Sequence, residues 1–402
     1  MSNKWGSALV AVATAMLAVL SLMFGILHPS LNYDAIPYAA LAKQARGAAG
    51  KDEAFRELAA MVGAERFQAY VSGPYRERMY RDDDYFGVNR QLYTIRPFYI
   101  AVCSAVGWLI GSDIVATYLV SAVATALAVA LSYVLAGMLG LAGLWRVAVP
   151  VTWIAAGGLN LASLSTPDAL EALLTLLLVW TWMRGLWSGA RTAWPALIAV
   201  LMVATRTDAV VLILLLACAA AVLQPHRRSA TIAVGFAALL GFLVVEHVSG
   251  NYGYLADLNF QLIEDRAHPI VPNLTLNLAG YLHALGRGFL QILGADFQSA
   301  LYAVFTAILL LAATRERHAT ASELADRGGQ RRLVLCVGLA GYLIVRFVLF
   351  PAPWARYVTA DYVLAGMLLA RSLMPVSATA AQATSMPALR APVAAESPHE
   401  LG

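Results

Sequence analysis

Apolar stretches follow one another along most of the 402 residues, at 7–27, 113–139, 144–163, 168–187, 193–205, 208–223, 229–248, 297–314, 332–350 and 357–374. Most approach the roughly 20 residues that an α-helix needs to cross the hydrocarbon core of a bilayer. The 193–205 and 208–223 stretches are short and nearly adjoining, which predicts a tight helical hairpin. Two further stretches fit a span less well. The 97–111 stretch is only about 15 residues, a length suited to an interfacial or re-entrant helix. The 278–294 stretch carries His283 and Arg287 and reads as amphipathic. One long polar segment, 28–93, interrupts this pattern directly after the first apolar run. It opens with His28-Pro-Ser-Leu-Asn-Tyr-Asp-Ala-Ile-Pro-Tyr38 and leads into Tyr93-Thr-Ile-Arg-Pro-Phe-Tyr99.

Composition sharpens the class. The chain is 60% hydrophobic and 13% charged, with a mean hydropathy of +0.67, whereas soluble domains carry about 25% charged residues. The pattern predicts an all-α polytopic membrane protein, with residues 1–374 as one transmembrane domain and 28–111 as an outer loop carrying juxtamembrane helices. The net charge of +4 is small, and nothing in its distribution suggests nucleic-acid binding. Only Lys4 precedes the first apolar run and no small-x-small cleavage site follows, so this run reads as an uncleaved first span. The stretch 375–402 is rich in Ala, Ser and Pro without periodicity and reads as a disordered cytoplasmic tail. Cys103, Cys218 and Cys336 lie far apart in apolar stretches, as small core residues with neither disulfide nor metal spacing.

Charge placement sets the topology. With the amino terminus cytoplasmic and 97–111 lying on the membrane, Arg146, Arg184, Arg191, Arg227 and Arg228 all fall inside. Among the short outer loops of that region only Arg206 falls outside, a five-to-one bias that inverts if 97–111 spans. The basic loop 315–332 also lands inside, provided 278–294 does not span. About ten spans result, with both ends cytoplasmic and 28–111 facing outward. Four polar clusters then share the outer face: the first loop, Ser165-Thr-Pro-Asp168, Arg206-Thr-Asp208, and Arg356-Tyr357 after Pro351-Ala-Pro-Trp354. A further outer loop covers 249–277.

Several of these residues have chemistry to offer beside a plainer role. Asp34 begins a helical pattern and fits an N-cap; it also fits a general base or metal ligand, because a partly desolvated carboxylate accepts a proton more readily. The run Asp82-Asp83-Asp84 supplies oxygen ligands for a divalent cation, although Arg76, Arg78, Arg81 and Arg90 nearby favour internal ion pairs. Arg96 before Pro97 suits bidentate contact with a phosphate, or snorkelling to headgroups. Asp168 follows Pro167 at a helix start, where it complements the helix dipole. Arg206 and Asp208 interrupt two apolar segments and pair with each other or with Asp168. Glu246 and His247 close an apolar run and give only a weak metal signal.

The order of these elements resembles the GT-C superfamily of polyprenyl-phosphate-sugar-dependent glycosyltransferases, which includes protein O-mannosyltransferases and the aminoarabinose transferases of lipid A. The shared features are the acid-bearing outer loop Tyr33-Asp34-Ala-Ile-Pro-Tyr38, the juxtamembrane Arg96-Pro-Phe-Tyr99, the Pro-Asp of Thr166-Pro-Asp-Ala-Leu170, and Arg356-Tyr357 near the last spans. The resemblance covers most of 1–375 as architecture. It implies catalytic roles for Asp34 and Asp168, lipid-phosphate contacts from Arg96, Arg206 and Arg356, and substrate contacts from Tyr33, Tyr38, Tyr99, Asp208 and Tyr357. The donor would be a polyprenyl-phosphate-linked sugar and the acceptor a glycan, lipid or protein. The setting would be a bacterial inner membrane with the site facing the periplasm. Many members pair the first Asp with an adjacent Glu, where this chain has Ala35. A divalent cation therefore stays open as a cofactor, and so does a catalytically silent scaffold. Other competing readings are a transporter or flippase, which would place binding groups near mid-span, and a polysaccharide polymerase or ligase, which usually carries its large outer loop late in the chain.

Overall fold

A computed structural model of the chain describes residues 2–263, 275–294, 297–322 and 327–374; the expected tail at 375–402 lies outside the described residues. Among the described residues the backbone is almost wholly helical and no strand forms. A single-residue parallel bridge joins Ser30 to Leu164.

Among the described residues five helices are long and apolar enough to cross a bilayer: Trp5–Leu27, Asp113–Met138, Pro225–Ser249, Phe297–His318 and Gly328–Leu349. They lie in α1 (Ser2–Leu27), α8 (Asp113–Met138), α14 (Arg228–Ser249) with the 3-10 turn Pro225–Arg227 ahead of it, α17 (Phe297–Ser322) and α18 (Arg327–Leu349). Their outer faces leave Leu9, Met16, Phe236, Leu240, Leu243 and Leu311 exposed. Water penalises apolar belts of that extent, whereas lipid accepts them. The molecule is a polytopic integral membrane protein by this pattern. Shorter apolar helices complete the bundle: α11 (Asp168–Arg184), α12 (Ala193–Thr205), α13 (Ala209–Leu223) and α19 (Thr359–Leu373). The expected hairpin is present as α12 and α13, turning at residues 206–208.

The apolar run 144–163 is not one helix, contrary to the expectation from hydropathy. It divides into a 3-10 turn, Gly143–Val147, and the helices α9 (Ala148–Ala155) and α10 (Gly158–Ser163). Gly157 at φ +76° makes the break, in a region that L side chains rarely adopt. Its neighbour Gly158 lies so close to Trp153 that a Cβ there would sit 2.8 Å from the indole. Hydropathy registers the apolar run but not this backbone reversal.

Between α1 and α8 the polar segment folds into a helical cap: α2 (Ala35–Gln44), α3 (Gly50–Val62), α4 (Ala64–Val71), α5 (Pro74–Arg81), α6 (Asp83–Thr94) and α7 (Pro97–Ile110). Its own core gathers Ile36, Phe55, Leu58, Met79 and Phe86 around Ile114 of α8. Burial of such side chains contributes about 1.5–3 kcal/mol each. A part-buried ionic cluster around the buried Asp113 fixes the cap to α8. Lys43 Nζ lies 2.9 Å from both Glu57 Oε2 and Asp113 Oδ2, and Arg46 NH2 lies 2.6 Å from Asp113 Oδ2. Glu57 also accepts the Ile114 amide at 2.9 Å.

The helix expected at 97–111 exists as α7, which leaves α6 at an angle of 106°. Pro97 at its first turn suits the bend, since its missing N–H would have had no helical partner. Arg96 is therefore held at a corner. Beyond α14, α15 (Tyr254–Leu258) begins the 249–277 loop, and α16 (Leu278–Gly294) follows. As expected, α16 is amphipathic: Leu282, Phe289 and Leu293 are exposed, while Ala284 and Gly288 are buried.

Candidate functional site

The ends of these helices converge on a cavity of about 430 Å³ beneath the cap. Tyr33, Asp34 and Tyr38 enter it from the start of α2, Tyr75 and Arg76 from α5, Tyr93 from α6, and Arg96 from the corner before α7. Asp257 of α15, Phe260, Gln261, Trp354, Arg356 and Tyr357 complete its lining. A second compartment of about 280 Å³ adjoins it, with Arg206, Asp208, Glu246 and Arg346 among apolar Val210, Val211, Phe242, Leu349 and Phe350. Arg96, Asp257, Gln261 and Tyr357 line both, so they form the partition between a polar, aromatic chamber and a more apolar one.

Asp34 stands at the N-cap position of α2, yet its side chain makes no capping bond. Asn32 Nδ2 donates to its Oδ2 at 2.9 Å and the Tyr93 hydroxyl donates to its Oδ1 at 3.0 Å. Asn32 Oδ1 accepts the Ser165 amide at 3.1 Å, which ties the loop before α2 to the loop before α11. A carboxylate offers about four lone-pair sites, so two such bonds orient Asp34 without saturating it. Burial raises the Tyr33 and Tyr93 hydroxyls above the ordinary phenol range, which keeps both protonated.

Arg96 donates from NH1 to the Leu92 carbonyl at 2.9 Å and lies 5.8 Å from the centre of the Tyr38 ring. Among the described residues no carboxylate sits within ion-pair distance of it. Arg206 is differently placed. It forks onto Asp208, with Nε to Oδ1 at 3.0 Å and NH2 to Oδ2 at 2.8 Å, and also bonds Asp168 Oδ1. Arg356 Nε lies 3.7 Å from Asp168 Oδ2, and Arg346 Nε 3.8 Å from Asp208 Oδ2. Arg206, Arg346 and Arg356 all approach the face of Tyr357, at 4.1, 4.9 and 4.8 Å from its centre. Burial alone would raise the Asp208 carboxyl, but Arg206 overrides it, with help from Arg346 and Arg96, and holds the group at about 2. Asp257 moves the other way. Burial raises it and outweighs both the hydrogen bond from Gln261 and the charge of Arg96.

The structure thus brings together the four polar clusters that were separate in sequence. Asp34, Arg96, Arg356, Tyr33, Tyr38 and Tyr357 line the first cavity; Arg206 and Asp208 line the second. Two of the expected site residues line neither. Asp168 is 1% exposed and is taken up by Arg206, Arg356 and the Thr166 hydroxyl at 2.8 Å, so it positions cations from behind the wall. Tyr99 is fully buried, donates to the Thr117 carbonyl at 3.2 Å and packs edge-on to Tyr38. The acidic run 82–84 is engaged within the cap. Asp82 caps α6 by accepting the Tyr85 amide at 2.9 Å, and Asp83 pairs with Lys51. Glu246 lines the second compartment. Among the described residues no three His, Cys, Asp or Glu side chains converge as metal ligands.

Sequence reasoning passed over Tyr93, Asp257, Gln261 and Arg346. Arg346 did carry a signal, since an arginine inside the apolar run 332–350 is costly in lipid and calls for a partner. No family model, curated protein or solved structure matches this chain.

Proposed function

We propose that this protein is a GT-C-type membrane glycosyltransferase, with about ten spans, working at the outer face, the periplasmic face of a bacterial inner membrane. It would move a sugar from a polyprenyl-phosphate carrier to a hydroxyl acceptor. One observation carries the reading: a hydrogen-bonded carboxylate, Asp34, and a cation with no carboxylate partner among the described residues, Arg96, line the same aromatic cavity. Transfer with inversion needs both. A base must receive the acceptor proton, and a fixed positive charge must face the departing phosphate. Asp34 serves the first need and Arg96 the second. Arg206 and Arg356, already paired with acids, add positive potential more than direct contact. The compartment on the far side of Arg96 has the apolar walls that the first isoprene units of a carrier require.

Transfer of labelled sugar from a panel of polyprenyl-phosphate sugars to endogenous acceptors, in membranes containing wild-type or Asp34→Asn protein, tests this. Transfer by the wild type and its loss in the variant are expected. Equal turnover in both would remove Asp34 from the chemistry.

Arg346, Glu171 and Asp361 are all 5% exposed or less, within helices of the bundle. Such intramembrane charges favour a second reading, a transporter or flippase of a lipid-linked or small polar substrate. In that case labelled lipid would cross the membrane in sealed vesicles without any transfer. Ala35 beside Asp34 keeps a catalytically silent member as a third reading, in which a carrier binds and nothing turns over.

A further inference from the structure

Resting on the transferase reading, one carboxyl at the partition has no task assigned to it. Asp257 lines both compartments beside Arg96, Gln261 and Tyr357. Gln261 Nε2 donates to its Oδ1 at 2.8 Å, and among the described residues no hydrogen bond engages its Oδ2. Other charged and titratable groups line the same two compartments. They are Tyr33, Asp34 and Tyr38 at the start of α2, Tyr75 and Arg76 on α5, Tyr93 on α6, Arg96 ahead of α7, Arg206 and Asp208 ahead of α13, Glu246 on α14, Tyr254 on α15, Arg346 on α18, and Arg356 and Tyr357 ahead of α19.

We propose that Asp257 takes up a proton when a phosphate anion occupies the partition beside Arg96, and gives that proton to the phosphate as it departs. Electrostatics requires the first half. A phosphate drawn to Arg96 arrives next to the half-buried Asp257, and two anions at that range repel. The carboxyl is already biased toward its neutral form by burial, so the anion completes a change that the site has begun. Asp208 cannot answer in its place, because the fork from Arg206 keeps it ionised.

The second half follows from the bonds that change. The acceptor oxygen bonds to the anomeric carbon while Asp34 receives its proton. The bond from that carbon to the phosphate oxygen breaks, and the electron pair leaves with the phosphate. Neutral Asp257 transfers its proton to a phosphate oxygen and ends as a carboxylate. Proton exchange with solvent then returns Asp34 and Asp257 to their starting states. No oxidant, reductant or further reactant is needed.

The test begins without turnover. Farnesyl phosphate is titrated into the full-length protein in detergent, in buffers of different ionisation heat, across about pH 5–9. Expected is a window of pH in which the wild type takes up about one proton more than Asp257→Asn, with Asp257→Glu behaving like the wild type. Thermal unfolding of each variant confirms that it is folded. Binding with the same proton count in wild type and Asp257→Asn overturns the inference and leaves the transferase reading in place. No binding of farnesyl phosphate or any longer polyprenyl phosphate overturns both. In the transfer assay the wild-type kcat should fall on the alkaline side. Asp257→Asn should lose that limb and run roughly 10²–10⁴-fold slower. An unchanged alkaline limb in Asp257→Asn would reduce Asp257 to a positioning residue and overturn the proton-donor role.

Discussion

Asp34 and Arg96 were legible in the sequence because each sits where an apolar run meets a polar one, and a charge at such a border stands out. Their neighbours were not, because Tyr93 reaches Asp34 across 59 positions and hydropathy carries no information at that range. The pairings separate residues of the same charge. Arg206 spends its fork on Asp208, so Arg206→Lys should lose the bidentate geometry and weaken the wall more than donor contact. Arg96→Ala should cut donor affinity about 10-fold or more, the scale of one lost charge-assisted hydrogen bond. Binding of a polyprenyl phosphate measured for both variants distinguishes them, and an unaltered affinity in Arg96→Ala would move the phosphate elsewhere. Asp168→Asn should act mainly on stability. It leaves the buried Arg206 with one acid in place of two, and breaking a buried pair costs about 3–5 kcal/mol. Thermal unfolding of the purified variant checks this. Asp208 sets an acid limit as well. Its folded value of about 2 lies below the ordinary 3.8. Its contribution is thus complete above the ordinary value and lost as pH falls through about 2, which Asp208→Asn should remove from an acid-unfolding curve.

Between elements, most helices announced themselves through apolar run length, and the ends of α1, α8, α13 and α14 fall within a few residues of the expected runs. The α9–α10 break was hidden because glycine at positive φ leaves no mark on hydropathy. The cap was harder still. Its helices are short and held by contacts between residues distant in sequence, among them the cluster of Lys43, Arg46, Glu57 and Asp113, which no local pattern encodes. Asp113 has a side chain 2% exposed and faces both cations, so Asp113→Ala leaves two positive charges without their shared partner. We expect a loss of about 3 kcal/mol, at the low end for buried pairs because Arg46 keeps some water. Gly107→Ala tests the same junction sterically, since its added Cβ would collide with the Asp113 carboxylate. Limited proteolysis should then cut the cap in both variants while the bundle resists. Uniform resistance would mean that the apolar core around Phe55 and Phe86 holds the cap unaided.

Across the whole molecule, the arginines at the cavity end are mixed with acids and tyrosines, whereas the short connections at the opposite end carry mainly arginines. Arg146 donates to the Leu141 carbonyl at 3.0 Å, Arg184 lies 5.6 Å from Trp180 and Arg227 5.7 Å from Trp182, while Arg332 pairs with Glu316 at 2.9 Å. Positively charged loops are retained on the cytoplasmic side, so this division predicts which end faces outward. Exposed Ser72 on the cap and exposed Ser188 between α11 and α12 sample the two ends. Each can be changed to cysteine in a background lacking Cys218, since Cys103 and Cys336 are buried. In intact spheroplasts a membrane-impermeant maleimide should label Ser72→Cys at once and Ser188→Cys only after permeabilisation. Labelling of both from outside would give the two ends no common bilayer between them and remove the basis for a periplasmic site. The reverse order would keep the fold but turn the cavity to the cytoplasm. There the reading of Asp34 and Arg96 would need a donor presented on the inner leaflet, so orientation decides which side must supply the substrate before any sugar is tested.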